Sequence, residues 1–477
     1  MKRIDRRRFL GATALAGAAP YATPVLAEET AATPDVTRQL ARYVVASRRE
    51  DVPGAVRKEA ARTLLNWAGC AVGGSRHETV DIAIRALAPF SGAAQATMLG
   101  RKERLDVLHT SLMNGISSHI FDFDDTHLRT IVHPAGPVAS AILALSEYRL
   151  VSGADFLHAL ILGAEVECRI ANAVYPAHYD AGWHITGTVG PFGAAAAAGK
   201  LLNLSEQQMT WALGLAAAQP VGLREMFGTM TKSFHPGRAA QNGLTAAFLA
   251  ARNYTSSNQG IEAPRGWANV LSTERNYTEI TSNLGAHYEI SLNTYKPFPC
   301  GIVIHPAIDA CLQLHAAQRL TPDQVERIDL KVHPLVLELT GKRNPQSGLE
   351  GKFSVYHAVA AAIVFGRVAE AQFSDRAVRD AVTVALRDRV TASADRSLAE
   401  DQVRVTIVLK DGRRLEKFIE HAVGSAKNPM TDLQLEAKVA GLADGILGAD
   451  RVRKLIDLCW NIEKLPHASQ VAAAAAG

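Results

Sequence analysis

Residues 121–133 contain a high density of side chains that can transfer protons or bind ions. They are Asp122, Asp124, Asp125, Thr126, His127 and His133. Burial of such groups without partners is costly, so they either face water at an acidic helix end or form a site in which each shifts the pKa of the others. Because the pKa of imidazole lies near neutral pH, the two histidines are suited to acid–base chemistry.

Four further polar clusters interrupt apolar or glycine-rich stretches downstream. They are His184 in residues 182–187, Lys232 and His235 in residues 228–237, Lys296 in residues 295–301 followed by His305, and Lys352, Tyr356 and His357 in residues 352–357. The pattern places His184 in a turn before an alanine-rich helix and Lys232 in a loop between helices. Alone, each residue has an ordinary structural interpretation as a helix cap, a surface charge or a core tyrosine. Together, the two lysines offer fixed cations for carboxylates, and the histidines offer proton transfer.

The first 27 residues are typical of an export signal. Residues 1–8 carry five cations, residues 9–24 are small and apolar, and Val25-Leu26-Ala27 forms a small-residue cleavage site. Arg6-Arg7-Arg8-Phe9-Leu10 resembles a twin-arginine motif, which predicts a periplasmic protein transported by the twin-arginine export machinery. The segment has a net charge of +4, equal to that of the whole chain. The mature protein is therefore close to neutral, which argues against nucleic-acid or acidic-membrane partners.

The remaining ~450 residues are enough for two domains. We predict an all-helical domain at 28–280, an α+β domain at 281–430 and a helical tail, 431–477, that packs back on the first. Helices are expected from Thr33 and Pro34 onward, at about 77–88, 104–120, 136–149, 153–175, 187–201, 205–217 and 237–252, and later at 302–318 and 353–365. Alternating apolar residues predict strands at 328–332, 403–409 and 414–419, and Ala472 to Gly477 is expected to fray.

The composition also bounds the chemistry. No apolar run of membrane-spanning length follows the signal, so we expect no membrane association after its removal. The five cysteines are scattered, without Cys-x-x-Cys spacing, and predict neither a disulfide framework nor an iron–sulfur cluster.

Read together, the motifs resemble those of the MmgE/PrpD family. The resemblance covers residues 33–465 and is carried by Asp122-Phe-Asp-Asp-Thr126-His127 with His133-Pro134, by His184-Ile-Thr-Gly, by Lys232-Ser-Phe-His-Pro-Gly, by Lys296-Pro-Phe-Pro-Cys and by Phe353-Ser-Val-Tyr356. It implies a mainly α fold, with a large all-helical domain, a smaller α+β lid and a site between them. It also implies a homodimer and no cofactor or metal.

The resemblance implies seven site residues: Asp122, Thr126, His133, His184, Lys232, Lys296 and Tyr356. Our hypothesis gives His133 proton transfer at carbon, with Asp122 orienting it. His184 then binds a carboxylate or serves as the second acid–base group, and Tyr356 holds or protonates an oxygen from the lid. Thr126, Lys232 and Lys296 bind substrate. Clustered cations should lower the pKa of the imidazoles and keep them neutral.

The resemblance and these residues together imply a cofactor-independent lyase or isomerase. It is expected to act on a small di- or tricarboxylate by proton transfer at a carbon next to a carboxylate. Dehydration, decarboxylation and epimerisation remain open, because each can pass through an enolate-like intermediate. The chain departs from the family pattern at Gly301, where a second cysteine is common, and at Ala135, where serine is common.

Two other functions fit the same residues. The Asp/His cluster could serve a metal-dependent hydrolase, although two lysines would crowd a cation site. Alternatively, the lysines could belong to a non-enzymatic periplasmic protein that binds organic acids.

Overall fold

The computed structural model describes residues 35–477. The predicted export signal, and the helix start at Thr33 and Pro34, lie outside the described residues. Among the helices that are described, none has both the length and the apolar character needed to cross a membrane.

Helices dominate the first 280 residues. They are α1 (Val36–Ala46), α2 (Gly54–Gly74), α3 (Glu78–Leu87), α4 (Val107–His119), α5 (Ala135–Tyr148), α6 (Gly153–Val174), α7 (Ala177–Asp180), α8 (Ile185–Leu201), α9 (Glu206–Ala217), α10 (Thr231–Ala251), α11 (Trp267–Leu271) and α12 (Thr278–Thr281). Polar side chains begin several of them. Asp106 accepts from two main-chain N–H groups at the start of α4, and Ser152 caps α6. Each helical stretch predicted here between residues 77 and 252 is present.

Two short antiparallel ribbons interrupt this helical part, and the sequence did not predict them. β1 (Ala96–Thr97) pairs with β2 (Arg104–Leu105), and β3 (Asp125–His127) pairs with β4 (Asn293–Tyr295).

Helix α8 lies in the core of the helical part. Its alanine-rich residues 193–199 carry no charged side chain and are buried. Glycines bring its neighbours close: a Cβ added at Gly193 would lie 2.8 Å from the carbonyl oxygen of Gly163 on α6, and one at Gly243 would lie 2.5 Å from Ala194. The small residues therefore set the spacing of α6, α8 and α10.

The smaller α+β part follows β4. It contains α13 (His305–Gln318), β5 (Val325–Val332), α14 (Pro334–Thr340), α15 (Gly348–Gly351), α16 (Val355–Phe365), α17 (Asp375–Val378), α18 (Ala381–Arg387), β6 (Val390–Ala394), β7 (Val403–Leu409) and β8 (Arg414–Ile419). The sheet order is β6-β5-β7-β8, with β5 and β6 parallel and the other pairs antiparallel. The three predicted strands are confirmed, whereas β6 was missed. Ile328, Leu330 and Val332 alternate into the core that α13 and α16 cover.

The C-terminal residues pack on the helical part through α19 (Asp432–Ala443), α20 (Ala449–Trp460) and α21 (Ser469–Ala475). Arg62 on α2 donates to the carbonyl oxygen of Met430 at 2.7 Å and pairs with Asp432. The predicted fraying of the last residues is wrong, because α21 buries small apolar side chains and Ala476 bridges to Leu99. Residues 35–477 form one compact unit, and the predicted boundaries at 280 and 430 stay predictions.

One buried carboxyl of this core makes the stability of the protein depend on pH. Glu167 on α6 is fully buried beneath Gly193, and neither side-chain oxygen has a hydrogen-bond partner among the described residues. Burial raises its pKa well above the ordinary value. The folded protein therefore holds Glu167 protonated at pH values where the unfolded chain ionises it, and wild-type stability falls as pH rises through that window.

We expect Glu167→Gln to be more stable than wild type, because the amide carries no ionisation penalty. The margin should grow by up to about 1.4 kcal/mol per pH unit above the unfolded pKa. Thermal unfolding at about pH 5 and about pH 8 measures it. A margin that does not change with pH would contradict a protonated Glu167.

Candidate active site

The turn after α4 places the first site residues. Asp122 adopts a left-handed backbone conformation with φ 51°. The chain then enters β3, whose Asp125 lies opposite Tyr295 of β4. Because Lys296 directly follows β4, this ribbon brings it beside Asp122, 174 positions earlier in the chain.

Lys232 reaches the same point from α10. The predicted loop is wrong here, since Lys232 lies in the first turn of a helix that begins at Thr231. Helices α4 and α10 touch at two glycines: a Cβ added at Gly115 would lie 2.4 Å from Cα of Gly237. This contact sets the start of α10 against the end of α4.

Asp122 accepts hydrogen bonds from both lysines. Its Oδ1 lies 2.8 Å from Nζ of Lys232 and 2.7 Å from Nζ of Lys296, and all three side chains are buried. Burial alone would raise the pKa of Asp122, but the two ammonium groups hold it well below its usual range. Burial lowers the pKa of Lys232, whereas Asp122 and Asp124 outweigh burial and raise that of Lys296. Two ammonium groups thus share one carboxylate oxygen and keep further N–H bonds for another anion.

His119 joins this group, although it lies outside the motifs that predicted the site. Its Nδ1 lies 2.6 Å from Oδ2 of Asp124, and its Nε2 lies 2.8 Å from Nζ of Lys232. Because an ammonium only donates, Nε2 accepts and the ring proton lies on Nδ1. Burial lowers the pKa of His119 and favours this neutral form. The available signal was the polar run Ser117-Ser118-His119 at the end of α4.

His133 is oriented by the main chain. Its Nδ1 lies 2.6 Å from the carbonyl oxygen of Asp125 and 3.2 Å from Oγ1 of Thr126. A carbonyl only accepts, so Nδ1 carries the proton and Nε2 presents a lone pair. Burial lowers the pKa of His133 to about 3. The hypothesis that Asp122 orients His133 is wrong, because Oδ1 of Asp122 is bound by the lysines and its Oδ2 has no partner within residues 35–477.

The neighbouring acids and His127 have supporting positions. Oδ2 of Asp125 accepts from Asn293 at 2.8 Å and from the main-chain N–H of Ala135 at 3.1 Å, while burial and Asp124 raise its pKa to about 7. His127 lies 2.9 Å from Oε2 of Glu289 and 2.7 Å from the hydroxyl of Thr130. These contacts stabilise the turn that carries Asp122 and His133.

A small cavity brings the predicted residues together. Asp122, His133, His184, Lys232 and Lys296 line it, and it offers about 30 Å³ to the centres of water molecules. That is room for about two waters.

Both parts of the chain close this cavity. Phe227 and Phe353 line it, with ring centroids 5.5 Å apart. Two predicted site residues do not line it. Thr126 lies behind His133, and the Tyr356 ring packs under the Arg343 guanidinium at 4.4 Å.

A buried lysine from the C-terminal tail supports the site from behind. Nζ of Lys438 donates to the carbonyl oxygens of Phe123 at 2.6 Å and Lys296 at 2.9 Å, and to Asn66 at 2.7 Å. Burial lowers its pKa to about 8. The sequence pattern of an ordinary surface helix gave no sign of this role.

A second buried lysine connects the smaller part to the same loops. Nζ of Lys352 donates to the carbonyl oxygens of Phe121 and Pro299, each at 2.9 Å, and to Glu370 at 2.5 Å. The turn before Asp122 and the turn after Lys296 are therefore held by one ammonium.

The cluster also contains atoms that ligate metals in other proteins. Ring nitrogens of His119, His133 and His184 lie within 4.8 Å of one another, and a second such group combines His119 and His133 with Asp122 and Asp124. Both nitrogens of His119 and Oδ1 of Asp122 already have partners. Because Lys232 donates to both His119 and Asp122, an ammonium occupies the position that a metal cation would take. The donor set therefore fits a metal poorly.

Two family profiles and several named proteins match this chain. The profile of the MmgE/PrpD N-terminal domain matches residues 38–280, and that of the MmgE/PrpD C-terminal domain matches residues 298–462. A cis-aconitate decarboxylase of Aspergillus terreus is 27% identical over 90% of this chain and 94% of its own. The human cis-aconitate decarboxylase is 28% identical over 86% and 88%. A 2-methylcitrate dehydratase of Escherichia coli K12 is 22% identical over 69% and 73%.

Proposed function

The chain belongs to the MmgE/PrpD family, and on that basis we propose that it is a lyase that decarboxylates cis-aconitate or a similar small tricarboxylate. Relatives named cis-aconitate decarboxylase align over most of both chains. Dehydration of a hydroxylated tricarboxylate is the second candidate, supported by the relatives named 2-methylcitrate dehydratase.

The shared contact of Lys232 and Lys296 with Asp122 carries this proposal. Two ammonium groups within hydrogen-bonding distance of one carboxylate oxygen are a preformed site for further carboxylates. The charged and imidazole side chains of the cavity are buried, which strengthens the attraction between these cations and an anion. A rival metal-dependent hydrolase is disfavoured by the same two cations.

The net charge of the site after substrate binding determines whether His133 is protonated. Lys232 and Lys296 face the carboxylates of Asp122 and Asp124, so a multiply charged substrate makes the site negative. Negative charge raises the pKa of a nearby imidazole. His133 is neutral before binding and then takes up a proton at Nε2. Its Nδ1–H continues to donate to the main-chain carbonyl oxygen of Asp125.

In the proposed reaction, the bond between a carboxylate and its carbon breaks and carbon dioxide leaves. The electron pair left on that carbon delocalises through the adjacent double bond onto a conjugated carboxylate. Lys232 and Lys296 stabilise this growing charge. Protonated His133 delivers its Nε2 proton to a carbon of this delocalised anion. His133 later regains a proton from water. His184 binds a second carboxylate. No cofactor is needed for these steps.

We also keep the periplasm, twin-arginine export and a homodimer as parts of the proposal. Support for export comes from the consecutive arginines Arg6, Arg7 and Arg8, and support for the dimer comes from the family resemblance. Activity should therefore be recovered in the periplasmic fraction, at the mass of a dimer.

The proposal is tested by NMR of purified protein with cis-aconitate, 2-methylcitrate and other tricarboxylates in deuterated water. We expect loss of carbon dioxide and one deuterium in each product molecule. Loss of water instead identifies the dehydratase. Deuterium uptake without net conversion identifies an epimerase and overturns the lyase assignment. Binding without exchange or turnover favours the rival organic-acid-binding protein.

A further inference from the structure

His184 and His235 form a direct pair beside the cavity. His184 lies at the N-cap of α8 and His235 in the second turn of α10. Their Nδ1 atoms are 2.9 Å apart. His184 lines the cavity, and its Nε2 is buried and has no hydrogen-bond partner among the described residues. His235 is buried as well but does not line the cavity.

A glycine holds the two rings together. The main-chain N–H of His184 donates to the carbonyl oxygen of Gly222 at 3.1 Å. Gly222 has φ +108°, and a Cβ added there would lie 2.7 Å from Nδ1 of His235. The backbone at Gly222 therefore presses directly on the His235 ring, and the pair has little freedom to separate.

Two imidazoles in Nδ1–Nδ1 contact share one proton when both are neutral. Burial lowers the pKa of His184 well below its ordinary value and that of His235 to about 3, so both rings are neutral. If His235 donates, the proton of His184 lies on Nε2 and points into the cavity. If His184 donates, its Nε2 presents a lone pair there.

We propose that His235 is a positioning residue that donates its Nδ1 proton to His184 and thereby holds His184 as the neutral Nε2–H donor facing the substrate. The inference rests on the proposed function, because a bound carboxylate accepts from an N–H and is repelled by a lone pair. The two imidazoles then present different groups to the substrate. His133 is fixed by a carbonyl with a free Nε2 lone pair, whereas His184 is fixed by His235 with an N–H.

A matched pair of variants separates donation from acceptance at this position. His235→Asn retains an amide that can donate to Nδ1 of His184, whereas His235→Asp places an acceptor there and forces the proton of His184 onto Nδ1. We expect His235→Asp to lower kcat/KM by about 10²-fold and His235→Asn by no more than about 5-fold. His158→Asn, which changes a buried histidine paired with Ser47 outside the cavity, controls for the loss of an imidazole.

Equal losses in the two variants, of any size, would overturn the proposal. Binding of tricarballylate, the saturated analogue of cis-aconitate, provides a readout without turnover. Its Kd should rise about tenfold in His235→Asp and stay near wild type in His235→Asn.

The tautomer itself is measured by ¹⁵N NMR of histidine-labelled wild-type protein with and without tricarballylate. The His184 signals are assigned by their loss in His184→Gln. A proton on Nε2 and none on Nδ1 of His184 is expected, and the reverse assignment overturns the proposal. This measurement needs no turnover, so it decides the tautomer even if the tricarboxylate panel shows no reaction and the proposed function fails.

Discussion

Lys296→Met is expected to lower kcat/KM for the tricarboxylate by about 10³-fold. The Lys296 ammonium lies in the cavity, 2.7 Å from Oδ1 of Asp122, and is almost completely buried. Methionine occupies a similar volume without the charge, so the variant removes a cation that opposes the charge developing on substrate. Steady-state kinetics measures the loss, and tricarballylate binding should weaken in parallel.

The structure limits the damage that this change does to folding. Asp122 retains Lys232 as a partner, so the buried carboxylate is not left alone. Lys200→Met is a matched control, because Lys200 is a partly buried lysine that donates to the carbonyl oxygens of Val45 and Ser47 away from the cavity. It should keep wild-type kinetics. If Lys296→Met folds and loses less than about tenfold, a preformed carboxylate site at this lysine is contradicted.

Most elements of the fold were predictable because their apolar periodicity is regular. Strand β6 was not, since Val390-Thr-Ala-Ser-Ala394 has little apolar alternation and lies at the edge of the sheet, largely exposed. Its pairing with β5 depends on the tertiary structure. The start of α10 was also misplaced, because Pro236 and Gly237 are usual helix breakers. Here they lie within the helix, where Gly237 packs directly on α4.

Residue types in the site were more predictable than their partners. Of the seven predicted site residues, five line the cavity, namely Asp122, His133, His184, Lys232 and Lys296. The orientation of His133 was not accessible, because a main-chain carbonyl provides it and the sequence does not encode such a contact by residue type. His119 and Lys438 lie outside the quoted motifs, and the contacts that bring them to the site exist only in the tertiary structure.

His133→Gln is expected to lower kcat by about 10³-fold with a KM within a few-fold of wild type. Glutamine keeps an amide near the carbonyl of Asp125 but cannot carry the proton that the reaction delivers to carbon. Burial holds the pKa of His133 at about 3 before substrate binds, and the bound carboxylates raise it. Wild-type kcat should therefore be highest on the acid side and fall as pH rises through the pKa of His133 in the complex.

This pH dependence distinguishes proton transfer from a structural role. The residual activity of His133→Gln should lack the fall that wild type shows at rising pH, because glutamine does not titrate. His158→Gln replaces a buried histidine outside the cavity, whose pKa burial lowers to about 4, and should keep both the rate and the pH profile. A folded His133→Gln protein that retains the wild-type pH profile would show that another group carries the proton, and the other imidazoles of the cavity, His184 and His119, would then be the residues to test.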